Sequence, residues 1–525
     1  MGFLDPYAGP WTDTEAAHLA RRAGFGAAPA TRATMVSQGM SAAVDSLVDY
    51  SPTDAPLEAL VAGLPGTGEN AALQNPTTGG QLEGWWLYRM VHSTQPLQQQ
   101  FSLFLHDTLV SEYTKLSNTV TTAMNNGNDG SQTGQSCTKV SGGLAPDANR
   151  QRAKVIALLM QQNVIFRTQG HLNYRDLLRT ITRDPAMLLY LDNRLNIKGN
   201  AQENYSREVM ELFSMGVGNY TEEDVREIAR AFTGETLDSS CANNWPYSYL
   251  YNSSQHDTNS KTVFGSTFNF AGAGQDTEYV IDLIANRISN SGITPAHAVY
   301  PATSLYISWK LLTWFVSETL PISHAAVPEL ADYFYNNQPN GYRYDVRETL
   351  RKLFKSQLFY DSAYVYHMYK HPADFVTTAL RVLGLEETSY TSSAISALRT
   401  MGMQLFDPPN VAGWNHGSIW VNSGSLISRF NYANRLSGSS IATDAWVDNL
   451  ITSGAVANYD DNTGILEFFR ARLIQAPLTA EESTAFSNFY SGIIGGTPPA
   501  SQSEYRRKVR GTLHLMMTMP RYQLK

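Results

Sequence analysis

The sequence predicts a mainly α-helical protein, built as one large multi-helix domain with long irregular insertions and at most one short β-hairpin. Apolar residues recur at a spacing of about 3.6 residues along most of the 525-residue chain. Strand-like alternation is confined to residues 261–270, where Val and Phe alternate with Gly and Thr. The hydrophobic content of 42% is sufficient for a core in a chain of this length.

The periodicity predicts a succession of helices joined by loops. In chain order they cover residues 12–24, 29–48, 81–116, 150–166, 173–182, 184–191, 201–215, 222–233, 276–288, 294–298, 304–317, 326–336, 344–355, 358–362, 371–383, 393–403, 423–435, 443–453, 464–474, 479–492 and 502–518. Three long stretches lack this periodicity and are predicted to be surface insertions, near 50–80, 125–149 and 235–275.

A polar, turn-like segment near residue 390 divides the predicted architecture. It separates a main helical domain, 1–390, from a C-terminal helical part, 391–525, which we expect to pack on it. The C-terminal part carries a loop, 408–420, with two prolines, two glycines and two tryptophans, among them Trp414. Such a rigid aromatic loop is suited to the floor of a sugar- or aromatic-binding cleft, or to a packed structural corner.

Charge and hydropathy exclude two classes of function. The net charge is −8 and no Lys/Arg-rich block is present, so we expect no nucleic-acid binding. No apolar run of about 18 residues predicts a membrane span. The charged fraction of only 16% is typical of exported proteins, so we expect a periplasmic or extracellular location. Residues 1–11 show no signal-peptide pattern, which leaves a cytoplasmic location open.

Seven carboxylates fall within 25 residues that start at Glu203 and read as helix, turn and helix. Asn204, Glu208 and Glu211 share a narrow arc of the first helix. Arg207 is four residues from both Glu203 and Glu211, so it can pair with either. It cannot neutralise these two acids and Glu208 together. This pattern indicates either a solvated helix face with ion pairs, or a cluster that binds a divalent metal or shares a proton.

Most acids of the second helix are explained by helix initiation. Thr221 and Asp224 form a capping pattern at its start, where the helix dipole favours negative charge. In the same way, Asp184 before Pro185 reads as an N-cap followed by proline at the first helical position. Asp192 lies at the end of that helix, where an acid opposes the dipole, and is therefore a candidate third metal ligand.

Two histidines are candidates to complete a site with these carboxylates. His106 follows an apolar, aromatic run on a helix and is either a buried, hydrogen-bonded histidine or part of a catalytic group. His256 and Asp257, followed by Lys261, precede the predicted hairpin, a setting in which loop residues often bind ligands.

Only two cysteines occur, Cys137 and Cys241, and both lie in polar loops. They fit a single disulfide in an oxidising compartment, or two unpaired thiols, and neither has a zinc-finger spacing partner.

Several motifs together resemble the bacterial family known as domain of unknown function eighteen hundred. They are His18–Gly26, Phe104–His106, Arg183–Met187, Tyr190–Asn193, Glu203–Gly234, His256–Asp257 with Lys261, and Pro408–Trp414. The resemblance implies a mostly helical fold, frequent export, and a partner that looks like the alkaline phosphatase/sulfatase superfamily. Members commonly have a second His where this chain has Thr108, and a Trp where it has Glu235. This puts a metal site that used that His in doubt here.

Two functional hypotheses follow. The first is an exported, metal-assisted hydrolase acting on a polar polymer, such as a polysaccharide, or on a surface modification. Its acid/base or metal ligands would be Glu208, Glu211 and Asp192, with His106 or His256. The alternative is a non-catalytic surface or assembly protein. Its long polar loops and 28 tyrosines would contact a partner of the phosphatase/sulfatase type or further copies of the protein.

Overall fold

The computed structural model describes residues 2–125, 148–238, 247–270, 272–289, 299–336, 338–339, 341–493 and 500–525. Across these ranges the chain is 60% helical, with 24 helices and two small two-stranded sheets. The mainly α-helical fold predicted from periodicity is therefore confirmed. No helix in these ranges has the length and hydropathy needed to cross a membrane.

The N-terminal helices are more numerous than the sequence predicts, and α9 is longer than the predicted helix 150–166. They are α1 (Asp13–Ala23), α2 (Pro29–Gln38), α3 (Met40–Val48), α4 (Ala55–Ala62), α5 (Gly68–Gln74), α6 (Gly79–His92), α7 (Pro96–Thr108), α8 (Tyr113–Asn125) and α9 (Ala148–Gln169). The single helix predicted over 81–116 is three helices, because Pro96 begins α7 at a position where its missing N–H costs nothing and α7 ends at Thr108. The stretch 50–80, predicted to be irregular, contains α4 and α5.

The central helices include the segment that carries the predicted carboxylate site. They are α10 (Tyr174–Thr182), α11 (Pro185–Tyr190), α12 (Glu203–Glu211), α13 (Glu222–Ala231), α14 (Gln275–Asn286), α15 (Ala302–Phe315), α16 (Ala326–Tyr335) and α17 (Val346–Phe354). Two predicted caps are confirmed: Asp184 caps α11, and Thr221 with Asp224 forms a capping box on α13.

Two antiparallel hairpins follow α13. Strands β1 (Glu235–Asp238) and β2 (Ser248–Tyr251) pair with each other, as do β3 (Lys261–Val263) and β4 (Ser266–Phe268). The hairpin predicted within 261–270 is confirmed. The β1–β2 pair was not predicted, because its strands are four residues long and their apolar and polar residues do not alternate clearly in the sequence, although their burial alternates.

The C-terminal helices are α18 (Pro372–Leu383), α19 (Ile395–Thr400), α20 (Ser423–Ser437), α21 (Asp444–Thr452), α22 (Asn462–Phe469), α23 (Ala480–Ile493) and α24 (Gln502–Thr518). Buried apolar residues from both sides of position 390 belong to one cluster, and Tyr390 itself is buried. The loop 408–420 contacts α7, which brings the C-terminal part against the N-terminal helices. A domain boundary at 390 stays a prediction.

Candidate functional site

A cavity of about 270 Å³ lies where α7, α15, the segment before α18 and the loop 408–420 meet. Its polar wall is made by Asp107, Lys310, Glu318, His371, His416 and Lys525. Aromatic side chains form most of the remaining wall: Phe104, Tyr306, Trp309, Trp314, Tyr369 and Trp420. This combination of apolar walls with a few polar groups is typical of a small-molecule site.

Asp107 and His416 form a pair at one side of the cavity. Asp107 Oδ2 lies 3.1 Å from His416 Nε2, and Asp107 Oδ1 accepts the backbone N–H of Trp414 at 2.7 Å. The Asp107 side chain is only 6% exposed, whereas that of His416 is 47% exposed. The carboxylate is thus enclosed and fully engaged, while the imidazole it holds is open to the cavity.

Glycines allow the loop to reach this carboxylate. Gly413 has φ +91°, and a β-carbon there would lie 2.4 Å from both the backbone oxygen and Oδ1 of Asp107. Gly417 has φ +76° and donates its N–H to Glu318 Oε2 at 3.0 Å. Because other residues disfavour positive φ, these glycines fix the loop directly on the two acids.

Lys310 lines the cavity from α15, a helix that also supplies three of the aromatic side chains in the cavity wall. Its ammonium lies 5.5 Å from the Tyr306 ring. In the part of the chain that the structure describes, it makes no hydrogen bond and has no carboxylate within 4.0 Å. Burial lowers the pKa of Lys310, and the charge of Asp107 only partly opposes that effect.

The opposite wall is held by a buried ion pair. Lys525 Nζ donates to Asp374 Oδ2, and His371 Nε2 lies 3.0 Å from the same oxygen. Burial alone would raise the pKa of Asp374, but its interactions with His371 and with the Lys525 ammonium lower it below its usual value. Asp374 is therefore ionised and fixes both residues at the cavity wall.

The carboxylates predicted on α12 do not face this cavity. Arg207 makes two hydrogen bonds of 2.8 Å with Glu222, and Glu211 accepts the Tyr220 hydroxyl at 2.7 Å. Glu208 is half-buried, and burial together with the neighbouring Glu211 raises its pKa. Only Leu212, just after α12, reaches the cavity.

Asp192 and Asn204, which were also predicted near the metal site, have other partners. Asp192 pairs with Lys115 at 3.4 Å, and Asn204 donates to the backbone oxygen of Leu191. Among the described residues, no three His, Cys, Asp or Glu side chains lie together in a way that would hold a metal. A triad of Asp192, Glu208 and Glu211 is thus not found there.

His106 lies in an apolar cage and does not line the cavity. Its ring is 5.4 to 5.5 Å from the rings of Trp86, Phe406 and Trp414, and burial lowers its pKa to about 4. At neutral pH it is therefore uncharged. Trp414 packs on His106, whereas Trp420 lines the cavity, so the aromatic face that the loop offers to the cavity is that of Trp420.

His256, Asp257 and Lys261 belong to a buried polar network instead of an open binding loop. Lys261 Nζ lies 2.7 Å and His256 Nε2 3.2 Å from Asp276 Oδ2, and Asp257 accepts from Arg230 Nε at 2.9 Å. This network attaches the β3–β4 hairpin to α13 and α14. Cys137 and Cys241 lie outside the described residues, and their pairing stays a prediction.

Sequence reasoning missed the residues that the fold brings together. His416 lies within the loop 408–420, and Asp107 directly follows the candidate His106, but nothing in the sequence relates α7 to that loop. Lys310 carries a weak signal, a lone charge on an otherwise apolar and aromatic helix.

Together these observations define a mainly helical protein with an aromatic cavity that contains an Asp–His pair and an unpaired lysine. A family model described as "Protein of unknown function (DUF1800)" matches residues 18–129 and 148–524. Because the match covers nearly the whole length, the chain belongs to this family, as its motifs indicated. No curated protein and no solved structure matches the chain.

Proposed function

We propose that this protein is a hydrolase that performs acid–base catalysis in the cavity, with His416 as the proton-transfer group and Asp107 as the residue that positions it. The observation that carries the proposal is the 3.1 Å contact between Asp107 Oδ2 and His416 Nε2, with the imidazole open to the cavity. Metal assistance by α12 has no support among the described residues, so the proposal depends on the Asp–His pair alone.

The contact fixes the tautomer of His416. A carboxylate only accepts hydrogen bonds, so the hydrogen of the neutral imidazole is on Nε2 and Nδ1 carries a lone pair. Nδ1 takes a proton from a water molecule, whose oxygen attacks the substrate. The resulting imidazolium, stabilised by Asp107, returns that proton to the leaving group as the bond breaks.

The aromatic walls indicate a polar substrate with a flat or ring-shaped part. Trp309, Trp314 and Trp420 present apolar faces beside the polar groups, as sites for sugar or aromatic rings do. A polar polymer or its modification outside the cytoplasm fits this wall and the low charged fraction of the chain. A phosphatase- or sulfatase-like partner stays an expectation from the family resemblance.

A hydrolysis screen tests the proposal. The panel contains 4-nitrophenyl esters, glycosides, phosphates and sulfates, together with soluble polysaccharides assayed for new reducing ends. We expect at least one class to be hydrolysed by the wild type and to lose that activity in His416→Gln. Hydrolysis that is unaffected in His416→Gln contradicts the proposal.

A binding experiment on the same panel separates the hydrolase from the assembly protein. Tryptophan fluorescence responds to occupancy, since three tryptophans line the cavity. Binding of panel compounds without turnover favours a binding protein over an enzyme. Neither binding nor turnover, together with self-association in solution, favours the assembly role.

A further inference from the structure

We propose that the cavity recognises a ring-sized group with a single negative charge, such as a ring carboxylate, and that Lys310 is its counter-ion. This inference rests on the proposed function in one respect, since it names the substrate class of the same cavity. It makes a separate claim about binding, which can be tested without turnover.

Lys310 is partly buried and lines the cavity. An ammonium group that loses part of its hydration is destabilised unless a hydrogen-bond acceptor or an opposite charge compensates for the loss. In the described ranges Lys310 Nζ has neither within contact distance, and the nearby Asp107 is already engaged by Trp414 and His416. An anionic ligand in the cavity would supply the missing partner.

Four buried basic residues lie behind the opposite wall. Arg21, Arg22, Lys370 and Arg429 are each at most 4% exposed. Arg429 Nη2 donates to the backbone oxygen of Lys370, the residue that precedes His371 at the cavity wall.

Burial lowers the pKa of Lys370 well below its usual value and so disfavours its charged form, which leaves the three arginines as the main positive charges. Few acids act on them. Asp374 interacts electrostatically with Arg22, Lys370 and Arg429 but is already paired with Lys525. Glu318 acts on Arg22 as well. Arg21 and Arg22 also have guanidinium nitrogens that are buried without a hydrogen-bond partner in the described structure: Nε and Nη2 of Arg21, and Nε and Nη1 of Arg22. These guanidinium groups add positive potential behind the wall, which favours an anion in the cavity.

The volume of the cavity and the acids that line it restrict the class of ligand further. The volume of about 270 Å³ exceeds the roughly 150 Å³ that accommodates a benzene ring in a protein interior. Asp107 and Glu318 also line the cavity and would repel a second negative charge. A monoanionic ring is thus favoured over a phosphate dianion.

Tryptophan fluorescence titrations with matched pairs of probes test the inference. Benzoate is compared with benzyl alcohol, and glucuronate with glucose, so that aromatic and sugar rings are distinguished. We expect the anion of at least one pair to bind about tenfold more tightly than its neutral counterpart, as for a hydrogen bond to a charged group. That preference should disappear in Lys310→Met and persist in Lys310→Arg.

Lys198→Met is the matched control, because Lys198 is exposed and does not line the cavity. Circular dichroism establishes that each variant is folded, and Lys310→Arg provides the test if Lys310→Met does not fold. Equal affinity for anionic and neutral probes in the wild type, or no binding of any probe, overturns the inference. So does a preference that survives in Lys310→Met or that is lost in a folded Lys310→Arg.

The failure of this inference and the failure of the hydrolase proposal are distinguishable. A preference for anions that depends on Lys310 without any turnover supports this inference and contradicts the hydrolase. Turnover of neutral substrates that depends on His416 but not on Lys310 supports the hydrolase and contradicts this inference.

Discussion

Gly413 lies so close to Asp107 that a β-carbon at position 413 would fall 2.4 Å from the Asp107 backbone oxygen. The next residue, Trp414, donates its N–H to the Asp107 carboxylate. Two consecutive residues of the loop are thus fixed on one acid of α7. The position of His416, three residues after Gly413, depends on this close contact.

The Gly413→Ala variant tests that contact. Alanine at φ +91° is strained and its methyl group would clash with Asp107, so we expect a loss of more than about 1–2 kcal/mol in the free energy of unfolding. Gly199→Ala is the control, since Gly199 also has positive φ but no atom lies within 4 Å of its β-carbon position. Urea unfolding compares the two variants. An equal loss in both contradicts a steric role for Gly413.

Asp107→Asn should reduce turnover while leaving the loop in place. Asparagine still accepts the Trp414 N–H, but its amide would face His416 Nε2 and favour the wrong imidazole tautomer. We expect kcat to fall by about 10³-fold with a small change in stability. Asp361→Asn, at an exposed turn, serves as the control. A near-normal kcat in a folded Asp107→Asn variant would refute the positioning role of Asp107.

Asp184 should make stability depend on pH. Burial raises the pKa of this N-cap carboxyl to about 7, against about 4 in an unfolded chain. A raised carboxyl pKa stabilises the fold below pH ~4, and this contribution is lost as the pH rises to about 7. The amide side chain of the Asp184→Asn variant can still cap α11 but does not titrate. The difference in unfolding free energy between wild type and variant should therefore shift in favour of the variant between these pH values; a constant difference contradicts the shift.

The Glu208→Gln variant shows whether Glu208 is a carboxylate whose charged form is destabilised by its surroundings or a metal ligand. Burial and Glu211 raise the pKa of Glu208, so its contribution to stability is lost as the pH rises through the folded-state pKa. At pH 7 the neutral glutamine should make the protein as stable as the wild type or more stable. Denaturant unfolding and elemental analysis of both proteins provide the readout. A variant that loses bound metal and stability would instead support the metal site.

The fold can be predicted from the sequence more completely than the candidate site. Periodicity and capping patterns are local, so they predict the helical class, the hairpin at 261–270 and the caps at Asp184 and Thr221. The cavity depends on contacts between distant segments. His106 and Asp107 are adjacent in sequence, yet one side chain lies in an aromatic cage and the other at the cavity. Local patterns do not distinguish these two environments.

The carboxylates of α12 illustrate the same limit. Their helical spacing is correct, but Arg207 pairs mainly with Glu222 on α13, and Glu211 accepts a hydroxyl from Tyr220. These partners come from the following turn and helix, and they give the acids a structural role that spacing on one helix does not reveal.

The most direct test of the account is the rate of hydrolysis by His416→Gln beside His367→Gln, on whichever panel substrate the wild type hydrolyses fastest. His367 is exposed and does not line the cavity. Acid–base catalysis by His416 predicts a loss of about 10²-fold or more in kcat for the first variant and a near-normal rate for the second. A wild-type rate in His416→Gln would contradict the proposed function.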